Sequence, residues 1–506
     1  MNESEELPRR SSSRSMRREK SFNPSSKSLG LVVTESSELP QYAPTTPSHS
    51  ETGSKSGRLG PSSPLLVDPH ALSAMPSADT SGSVVSAASS TTTDRVTHGQ
   101  AILQEPVSPD EFESVPSLVD TIRQSIIGDS EVVRTPFGQR RRFFTDYTSS
   151  GRPLGFIEQF ILSEVLPAYD SRSPGAQIAN FERDAASLVH EHVHGSTEDL
   201  VFFAGTGVSG AIHAMIEILG IGLPRYMLQW TEHVLPEDAK PVVLVTRYEH
   251  QSNHKFWEES LADVVKVSED SFGNIDLEDL EAQLQSYQHR PLLIGSFSAA
   301  NNVTGVLVDT TNIAQILHRY GALAFFDYAV AGSHVDIFMN PTDPSGNPLP
   351  EAHKDAIFLA PHKFVGGVST PGVLVVKKGV LHRHESLARR SMVRSESRSS
   401  RVIFSLQAGT PPTVNIIRCG LVFHLFKNIS MRRVMELEAE HCRLAIECWS
   451  QNKGIRIMGP TEDVDRVGII SIRVVGLHYN FVVTLLNDLF GIQARGGSCT
   501  AGGYES

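Results

Sequence analysis

The feature that most constrains the fold is a regular alternation of short apolar runs with longer amphipathic segments between about residue 117 and about residue 400. The apolar runs are rich in β-branched and aromatic residues, which indicates strands at 200–204, 242–246, 292–297, 322–327, 356–360 and 372–376. Helical periodicity lies between them, at 156–169, 176–192, 210–219, 277–287 and 311–320. Strands that are apolar throughout are buried on both faces. The alternation therefore predicts an α/β fold with helices on both faces of a mostly parallel central sheet.

Changes of composition divide the chain into three parts. The first part, 1–115, is rich in Ser, Thr and Pro, and Phe22 and Tyr42 are the only aromatic residues in its first hundred positions. Such a segment buries too little apolar surface to offset the entropy of ordering it, so we expect a disordered tail. A helical stretch at 414–449, a strand-like run at 467–475 and a helix at 479–490 predict a smaller C-terminal α/β domain. The expected parts are a tail at 1–115, a large domain at 116–400 and a small domain at 401–506.

The overall composition excludes several classes of protein. Lys and Arg number 45 against 57 Asp and Glu, a net charge of −12, which argues against a nucleic-acid partner. Four cysteines among 506 residues exclude a disulfide-stapled secreted scaffold. No apolar run approaches the roughly 18 residues of a membrane helix, so we expect no membrane partner. We therefore predict a cytoplasmic protein and leave a mitochondrial destination open.

A glycine turn at 205–210 follows one predicted strand and opens the next predicted helix. It has the spacing G-x-G-x-x-G, which lets the backbone approach an anion at a helix N-terminus. A dinucleotide site would also need an acid about 20 residues on, and residues 225–230 contain none. The turn therefore predicts a phosphate site rather than an NAD site, with tight packing as the alternative.

A second motif, H-E-x-x-H at 190–194, has the spacing of a zinc-protease helix. However, Gly195 is expected to end the helix at once, and Thr197 and Leu200 occupy the positions of the further Gly and His in the extended zinc motif. We therefore interpret the motif as a polar helix end and predict no metal.

Several polar residues come just after the carboxyl ends of predicted strands, where open α/β sheets bind ligands. Lys363 follows the strand at 356–360, and a desolvated lysine there can form a Schiff base. Asp327 ends the strand at 322–327 and could hold a pyridinium nitrogen protonated, although a turn aspartate is equally consistent. His250 and Asn302 follow two other strands. Taken singly, each of these residues is also consistent with an ordinary loop or surface position.

The order of these short motifs resembles the class V aminotransferase group of fold-type I pyridoxal-phosphate (PLP) enzymes, and the cysteine desulfurases most of all. The resemblance covers about residues 140–506. It includes 146–152, the turn at 205–210, the pair 249–250, 301–305, Asp327, 362–363, 408–411 and 491–499. It implies a large PLP-binding domain, a smaller C-terminal domain, a homodimer and a small amino-acid substrate.

The resemblance also implies a role for each matching residue in holding the cofactor. Lys363 would bond to PLP and later move the Cα proton, while Asp327 would pair with the ring nitrogen. His250 would stack on the ring, as a catalytic residue as well as a cofactor contact, and Asn302 would contact the ring hydroxyl. The phosphate would be bound by the following residues: Gly207, Val208, Ser209, His362 and, from the second subunit, Thr410.

The substrate would be held by Arg495, which would bind its carboxylate, and Cys499 would be the catalytic sulfur acceptor. The chain departs from the family pattern where Val208, Val330 and Ala360 stand in place of polar cofactor contacts, so we expect backbone donors to contribute more to phosphate binding. The family pattern continues past residue 506, so we expect a truncated small domain.

Two functions remain open from the sequence. The first is a PLP enzyme that converts L-cysteine to L-alanine and transfers sulfur to an enzyme thiol. The second is a non-catalytic relative of that fold that acts as a binding or regulatory protein.

Overall fold

The computed structural model describes residues 118–169, 177–227, 230, 235–270, 272–381, 411–462 and 464–497. The predicted tail and the predicted domain boundary near residue 400 lie outside these residues. The strands in this part of the chain are Val132–Thr135 (β1), Gly138–Arg141 (β2), Phe143–Phe144 (β3), Asp199–Ala204 (β4), Val242–Thr246 (β5), Asp263–Val267 (β6), Leu293–Ser298 (β7), Leu323–Asp327 (β8), Ala356–Leu359 (β9), Gly372–Lys377 (β10), Ile455–Ile457 (β11), Ile472–Val474 (β12) and Ile492–Gln493 (β13). None of the described helices is both long and apolar enough to cross a membrane.

The helices in the same residues alternate with these strands through the central part of the chain. They are Leu118–Ser125 (α1), Gly155–Phe160 (α2), Gln177–His192 (α3), Gly207–Leu219 (α4), Gln251–Glu258 (α5), Leu277–Tyr287 (α6), Thr310–Arg319 (α7), Thr413–Lys427 (α8), Met431–Ser450 (α9) and Tyr479–Phe490 (α10). A π-helical turn, Ile161–Val165, extends α2, so the helix predicted at 156–169 is present but ends at Val165.

The central sheet has seven strands in the order β4-β10-β9-β8-β7-β5-β6. The pairs among β5, β6, β7, β8 and β9 are parallel, whereas β10 runs antiparallel to both β4 and β9. The mostly parallel sheet predicted from the sequence is therefore confirmed, and the predicted strands differ from the observed ones by at most one residue at either end. The edge strand β6 was missed, because the charged residues Asp263 and Lys266 interrupt its apolar pattern.

Successive residues of the central strands pack on opposite faces of the sheet. Phe325 joins the cluster under α4 and α5, whereas Phe326 joins the cluster under α3 and α8, and neither is exposed. Trp257 of α5 stacks on Phe325 with ring centroids 6.3 Å apart. Burial of each such side chain is worth roughly 1.5–3 kcal/mol. This two-sided burial fixes the register of the strands and hence the positions of the residues at their ends.

Two predictions for the C-terminal part are corrected by the structure. The single helical stretch at 414–449 is two helices, because Ser430 caps α9 by accepting a hydrogen bond from the Arg433 N–H at 3.3 Å. The strand-like run at 467–475 forms a strand only at β12. Its first residues pair elsewhere, since the Val467 N–H donates to the Gly305 carbonyl and the Gly468 N–H to Glu438.

A short parallel pairing joins distant parts of the sequence. β3 lies beside β13, and Phe143 and Thr145 donate backbone hydrogen bonds to the carbonyls of Gly491 and Gln493, at 2.9 Å and 3.1 Å. Gly491 has a φ of 75°, and a Cβ there would lie 2.1 Å from the Arg141 carbonyl oxygen, so only glycine fits this close approach. The pairing places residues 145–152 next to the segment after β13.

The H-E-x-x-H motif does not form one helical face. Helix α3 ends at His192, and His194 has already left the helix with a φ of 51°. A ring nitrogen of His190 lies 2.8 Å from the Ser196 carbonyl, and one of His194 lies 3.0 Å from the Ile337 carbonyl. Both rings therefore tie the helix end to neighbouring loops.

Acid is expected to destabilise the protein through His192. Its ring packs against Phe423 and Phe364, and among the described residues its Nε2 has no hydrogen-bond partner. Burial lowers its pKa from 6.5 to about 4, and His194 adds to the shift. Because the folded pKa lies below the unfolded one, this contribution to stability is present above pH 6.5 and is lost as the pH falls toward 4. We expect the free energy of unfolding to be roughly 2 kcal/mol lower at pH 5 than at pH 7. The His192→Phe variant is expected to show a smaller decrease between these two pH values. An equal acid loss in that variant would contradict this assignment.

Candidate active site

Polar residues from the carboxyl ends of several strands meet in one cavity of about 280 Å³. Every described residue that the sequence predicted for the site lines it: Gly207, Val208, Ser209, His250, Asn302, Asp327, His362, Lys363 and Arg495. Thr410 and Cys499 lie outside the described residues. Val330 and Ala360 also line the cavity, as apolar side chains. The residues that sequence reasoning did not predict are Thr148, Ser149, Thr206, Ser252, Ser298 and Ala329.

Residues 205–210, which we call the anion turn, join β4 to α4. The helix begins at Gly207, earlier than the predicted start at 210, so Gly207, Val208 and Ser209 form its first turn and their N–H groups face the helix end. A Cβ on Gly207 would lie 2.8 Å from His362 Cε1. That first turn contains no acidic residue. The turn therefore offers backbone donors and the positive end of a helix dipole to an anion.

Asp327 lies at the end of β8 and is 4% exposed. Its Oδ1 accepts a hydrogen bond from the Ala329 N–H at 2.7 Å. Burial raises the pKa of Asp327 to about 7, against the lowering effect of that N–H, and the charge of Glu249 raises it further while Lys363 lowers it. A carboxylate in this setting is stabilised strongly by a cation placed next to it.

Lys363 ends the short turn Pro361–Lys363 that follows β9. Its N–H donates to the Ala360 carbonyl at 2.9 Å, which holds the backbone and aims the side chain into the cavity. Burial lowers the pKa of Lys363, and the charge of Asp327 opposes that shift. A larger fraction of the Lys363 amine is therefore neutral, which is the nucleophilic and basic form, than for a lysine in water at the same pH.

His250 stands at the N-cap of α5 and accepts a hydrogen bond on Nδ1 from the Ser252 N–H at 3.1 Å. Burial lowers its pKa to about 4, and the charges of Lys363 and Arg495 add to the shift. The imidazole is therefore neutral at physiological pH, and its flat ring is available at the cavity wall.

Beneath His250, a buried hydrogen-bond network holds Glu249. The carboxylate accepts from the Ser298 N–H at 3.0 Å, the Ser298 hydroxyl at 2.5 Å, Asn253 at 2.9 Å and Thr246 at 3.1 Å. Burial raises the pKa of Glu249 despite these four donors. The network fixes α5 to the ends of β5 and β7, so the position of His250 depends on it.

Arg495 reaches the cavity because β13 pairs with β3. Its Nε lies 3.4 Å from Asp146 Oδ2, which also accepts the Ser149 hydroxyl at 2.6 Å. Asn302 lies within a turn in which the Asn301 side chain accepts from the N–H groups of Val303 and Thr304, at 2.9 Å and 3.0 Å. The guanidinium and the amide thus come from loops whose conformation is held by local hydrogen bonds.

Away from this cavity, His318, His353 and Asp355 lie close enough together to be considered as ligands of one metal ion. The two rings are stacked, with centroids 4.3 Å apart, so their in-plane lone pairs do not converge. His318 Nε2 lies 2.8 Å from the Asp355 carboxylate and Nδ1 lies 2.7 Å from the Glu351 carbonyl. Burial alone would lower the pKa of His318, but these acceptors raise it, so the group is an ion pair in this structure.

Comparison with known proteins agrees with this geometry. The aminotransferase class-V family model matches residues 173–505. A probable cysteine desulfurase of Halalkalibacterium halodurans is 23% identical over 365 residues, which cover 69% of this chain and 81% of that protein. The apo structure of a cysteine desulfurase from Thermococcus onnurineus matches with a TM-score of 0.57 at 17% identity, over 76% of this chain and 90% of that one. A NifS-like protein from Rickettsia africae matches with a TM-score of 0.52 at 17% identity, over 71% and 88% of the two chains.

The fold, the cavity at the strand ends and the family match over most of the chain define a class of enzyme. The chain belongs to the aminotransferase class-V family, whose members are PLP-dependent enzymes of fold type I. Within that family it is cysteine desulfurase-like, as its relatives and structural neighbours indicate. The resemblance stated from the sequence is therefore confirmed at the level of family and fold.

Proposed function

We propose that this protein is a PLP-dependent cysteine desulfurase that converts L-cysteine to L-alanine. The observation that carries the proposal is the meeting of Lys363, Asp327 and His250 with the anion turn in one cavity. In the overall reaction, the substrate C–S bond breaks, the sulfur goes to the Cys499 thiol as a persulfide, and Cβ gains the proton that completes alanine. Atoms and electrons balance, since one cysteine and one thiol give one alanine and one persulfide.

The residues of the cavity fit PLP. The anion turn, with the Ser209 hydroxyl, would bind the phosphate. Gly207 is required beside His362, because a Cβ on residue 207 would lie only 2.8 Å from His362 Cε1. Asp327 would pair with the protonated ring nitrogen. This pairing would supply the cationic partner that the buried carboxylate lacks among the described residues. When bound, PLP supplies an electron sink for negative charge on the substrate Cα.

The residues of the chain would divide the remaining work. Lys363 would attach the cofactor through its amine and then move the Cα proton, a role that its lowered pKa favours. His250 would cover one face of the ring as a neutral imidazole. Asn302 would donate to the ring hydroxyl. Val208, Val330 and Ala360 line the cavity as apolar side chains, so backbone donors would contribute more of the phosphate contacts.

Arg495 would bind the α-carboxylate of the substrate. Asp146 lies 3.4 Å from its Nε, so the two terminal nitrogens would be the ones to pair with that carboxylate. Because an amino acid carries one α-carboxylate close to its reacting Cα, this contact would orient the Cα proton toward Lys363. The homodimer that would bring Thr410 to the phosphate, the division of the chain near residue 400 and the cytoplasmic location remain predictions.

The decisive experiment is turnover of L-cysteine by the purified full chain with PLP and a thiol reductant. We expect alanine and sulfide in equal amounts, and we expect Cys499→Ala to lower their formation at least 10-fold while the visible cofactor band remains. Cys448→Ala, at an exposed thiol on α9, serves as the matched control and is expected to retain activity. A cofactor band without alanine from cysteine would contradict desulfuration and direct the search to other amino acids. No cofactor band would favour the non-catalytic alternative.

A further inference from the structure

A chain of hydrogen bonds links the anion turn to His250 through one residue that the proposed function does not use. The Ser209 and Ser252 hydroxyl oxygens lie 2.7 Å apart, and the Ser252 hydroxyl lies 3.0 Å from His250 Nδ1. Ser209 is in the first turn of α4 and Ser252 in the first turn of α5, so the link joins two neighbouring helix N-termini at the cavity wall.

The backbone fixes the state of the histidine in this link. Because the Ser252 N–H donates to Nδ1 at 3.1 Å, Nδ1 is an acceptor and a neutral ring carries its proton on Nε2. The Ser252 hydroxyl therefore has two acceptors within reach, His250 Nδ1 and Ser209 Oγ, and one proton to donate.

An anion in the turn would decide between these two acceptors. When no anion is bound, the Ser209 hydroxyl can donate a hydrogen bond to the Ser252 oxygen, and the Ser252 hydroxyl then donates to His250 Nδ1. When the Ser209 hydroxyl donates to an anion, its oxygen is free to accept from Ser252, and the hydrogen bond from the Ser252 hydroxyl to His250 Nδ1 is lost. One hydroxyl proton thus changes its partner when the anion turn is filled.

We propose that Ser252 is a positioning residue that couples occupancy of the anion turn to the hydrogen bonding of His250. The proposal rests on the proposed function only in assigning phosphate to the anion turn. The coupling would adjust the electron density of the His250 imidazole in step with phosphate binding, before any substrate enters the cavity. The Ser209–Ser252 hydrogen bond would also hold the two helix N-termini at a fixed separation while the Ser252 hydroxyl changes its acceptor.

The test uses the full chain without PLP, with inorganic phosphate as the probe and nitrogen-15 labelled histidine followed by NMR. The signals of His250 are assigned by their loss in His250→Gln. Without phosphate, we expect an unprotonated Nδ1 and a protonated Nε2. Phosphate is expected to shift the Nδ1 signal toward that of an imidazole with one fewer hydrogen bond, and Ser252→Ala is expected to lose this shift.

Matched variants separate coupling from a general effect on the fold. Gln251→Ala changes an exposed residue in the same helical turn and is expected to keep the phosphate-dependent shift. Ser252→Thr retains the hydroxyl and is expected to restore the shift that Ser252→Ala loses. The proposal is overturned if Ser252→Ala shows the full shift, or if phosphate leaves the His250 signals of the native chain unchanged. Neither outcome depends on cysteine turnover, so failure of the proposed function is distinguishable from failure of the coupling.

Discussion

Replacement of Lys363 by alanine is expected to abolish the visible absorption of bound PLP and to lower alanine formation from cysteine at least about 1,000-fold. In the proposed function, the Lys363 amine is the group that bonds to the cofactor aldehyde, and it is also the base that moves the Cα proton. The alanine side chain at position 363 can perform neither role. The measurement is an absorption spectrum of the purified variant with added PLP, followed by an alanine assay.

A second buried lysine makes a sharp control for this variant. Lys354 is 1% exposed, and burial lowers its pKa to about 8, yet its Nζ donates to the Phe338 carbonyl at 2.7 Å and it does not line the cavity. We expect Lys354→Met to lose stability while it keeps the cofactor band. A normal band in Lys363→Ala, or a band lost in Lys354→Met with the fold intact, would contradict the assignment of the cofactor lysine.

Replacement of Asp327 by asparagine is expected to lower alanine formation at least about 100-fold and to weaken PLP binding. Asparagine is nearly isosteric and can still accept the Ala329 N–H, but it carries no charge to hold the ring nitrogen protonated. The pKa of Asp327 is raised to about 7, so its carboxyl is protonated below that pH and ionised above it. The affinity of the native chain for PLP is therefore expected to rise with pH through about 7.

The pH dependence distinguishes a loss of charge from a loss of structure. Asp327→Asn is expected to lose the part of the pH dependence that belongs to this carboxyl, which PLP titrations between pH 5.5 and pH 8.5 would show. Glu249→Gln removes a charge that raises the pKa of Asp327, so in that variant the rise is expected at lower pH. An Asp327→Asn variant with native affinity and native pH dependence would remove Asp327 from the site.

The sequence predicts those features that local pattern and burial determine. The strand Val242–Thr246 was predicted with its observed ends, because a run of four aliphatic residues and Thr246 is bounded by Pro241 on one side and Arg247 on the other. The same logic located Asp327 and Lys363 at strand ends and led to a cavity that both residues line. Their chemical roles are predictions that the Lys363 and Asp327 variants test.

Other features depend on contacts between distant residues and left no local signal. Asp146 meets Arg495 only because β3 pairs with β13, and neither strand exceeds two residues. The sequence does not single out Ser252, since the start of α5 depends on the Ser252 backbone N–H that donates to His250. The H-E-x-x-H motif shows the converse, because a pattern with the correct spacing spans the end of a helix.

The pairing of β3 with β13 also sets an order in time during synthesis. At roughly 5–20 residues per second, Ile492 leaves the ribosome some tens of seconds after Phe143. The anion turn, Asp327 and Lys363 all precede Arg495 in the chain, so the residues proposed to hold the cofactor are synthesised before the residue proposed to bind the substrate. If the proposed function holds, a growing chain would contain its cofactor-binding residues before its substrate-binding residue, so loading with PLP would not have to wait for the substrate site.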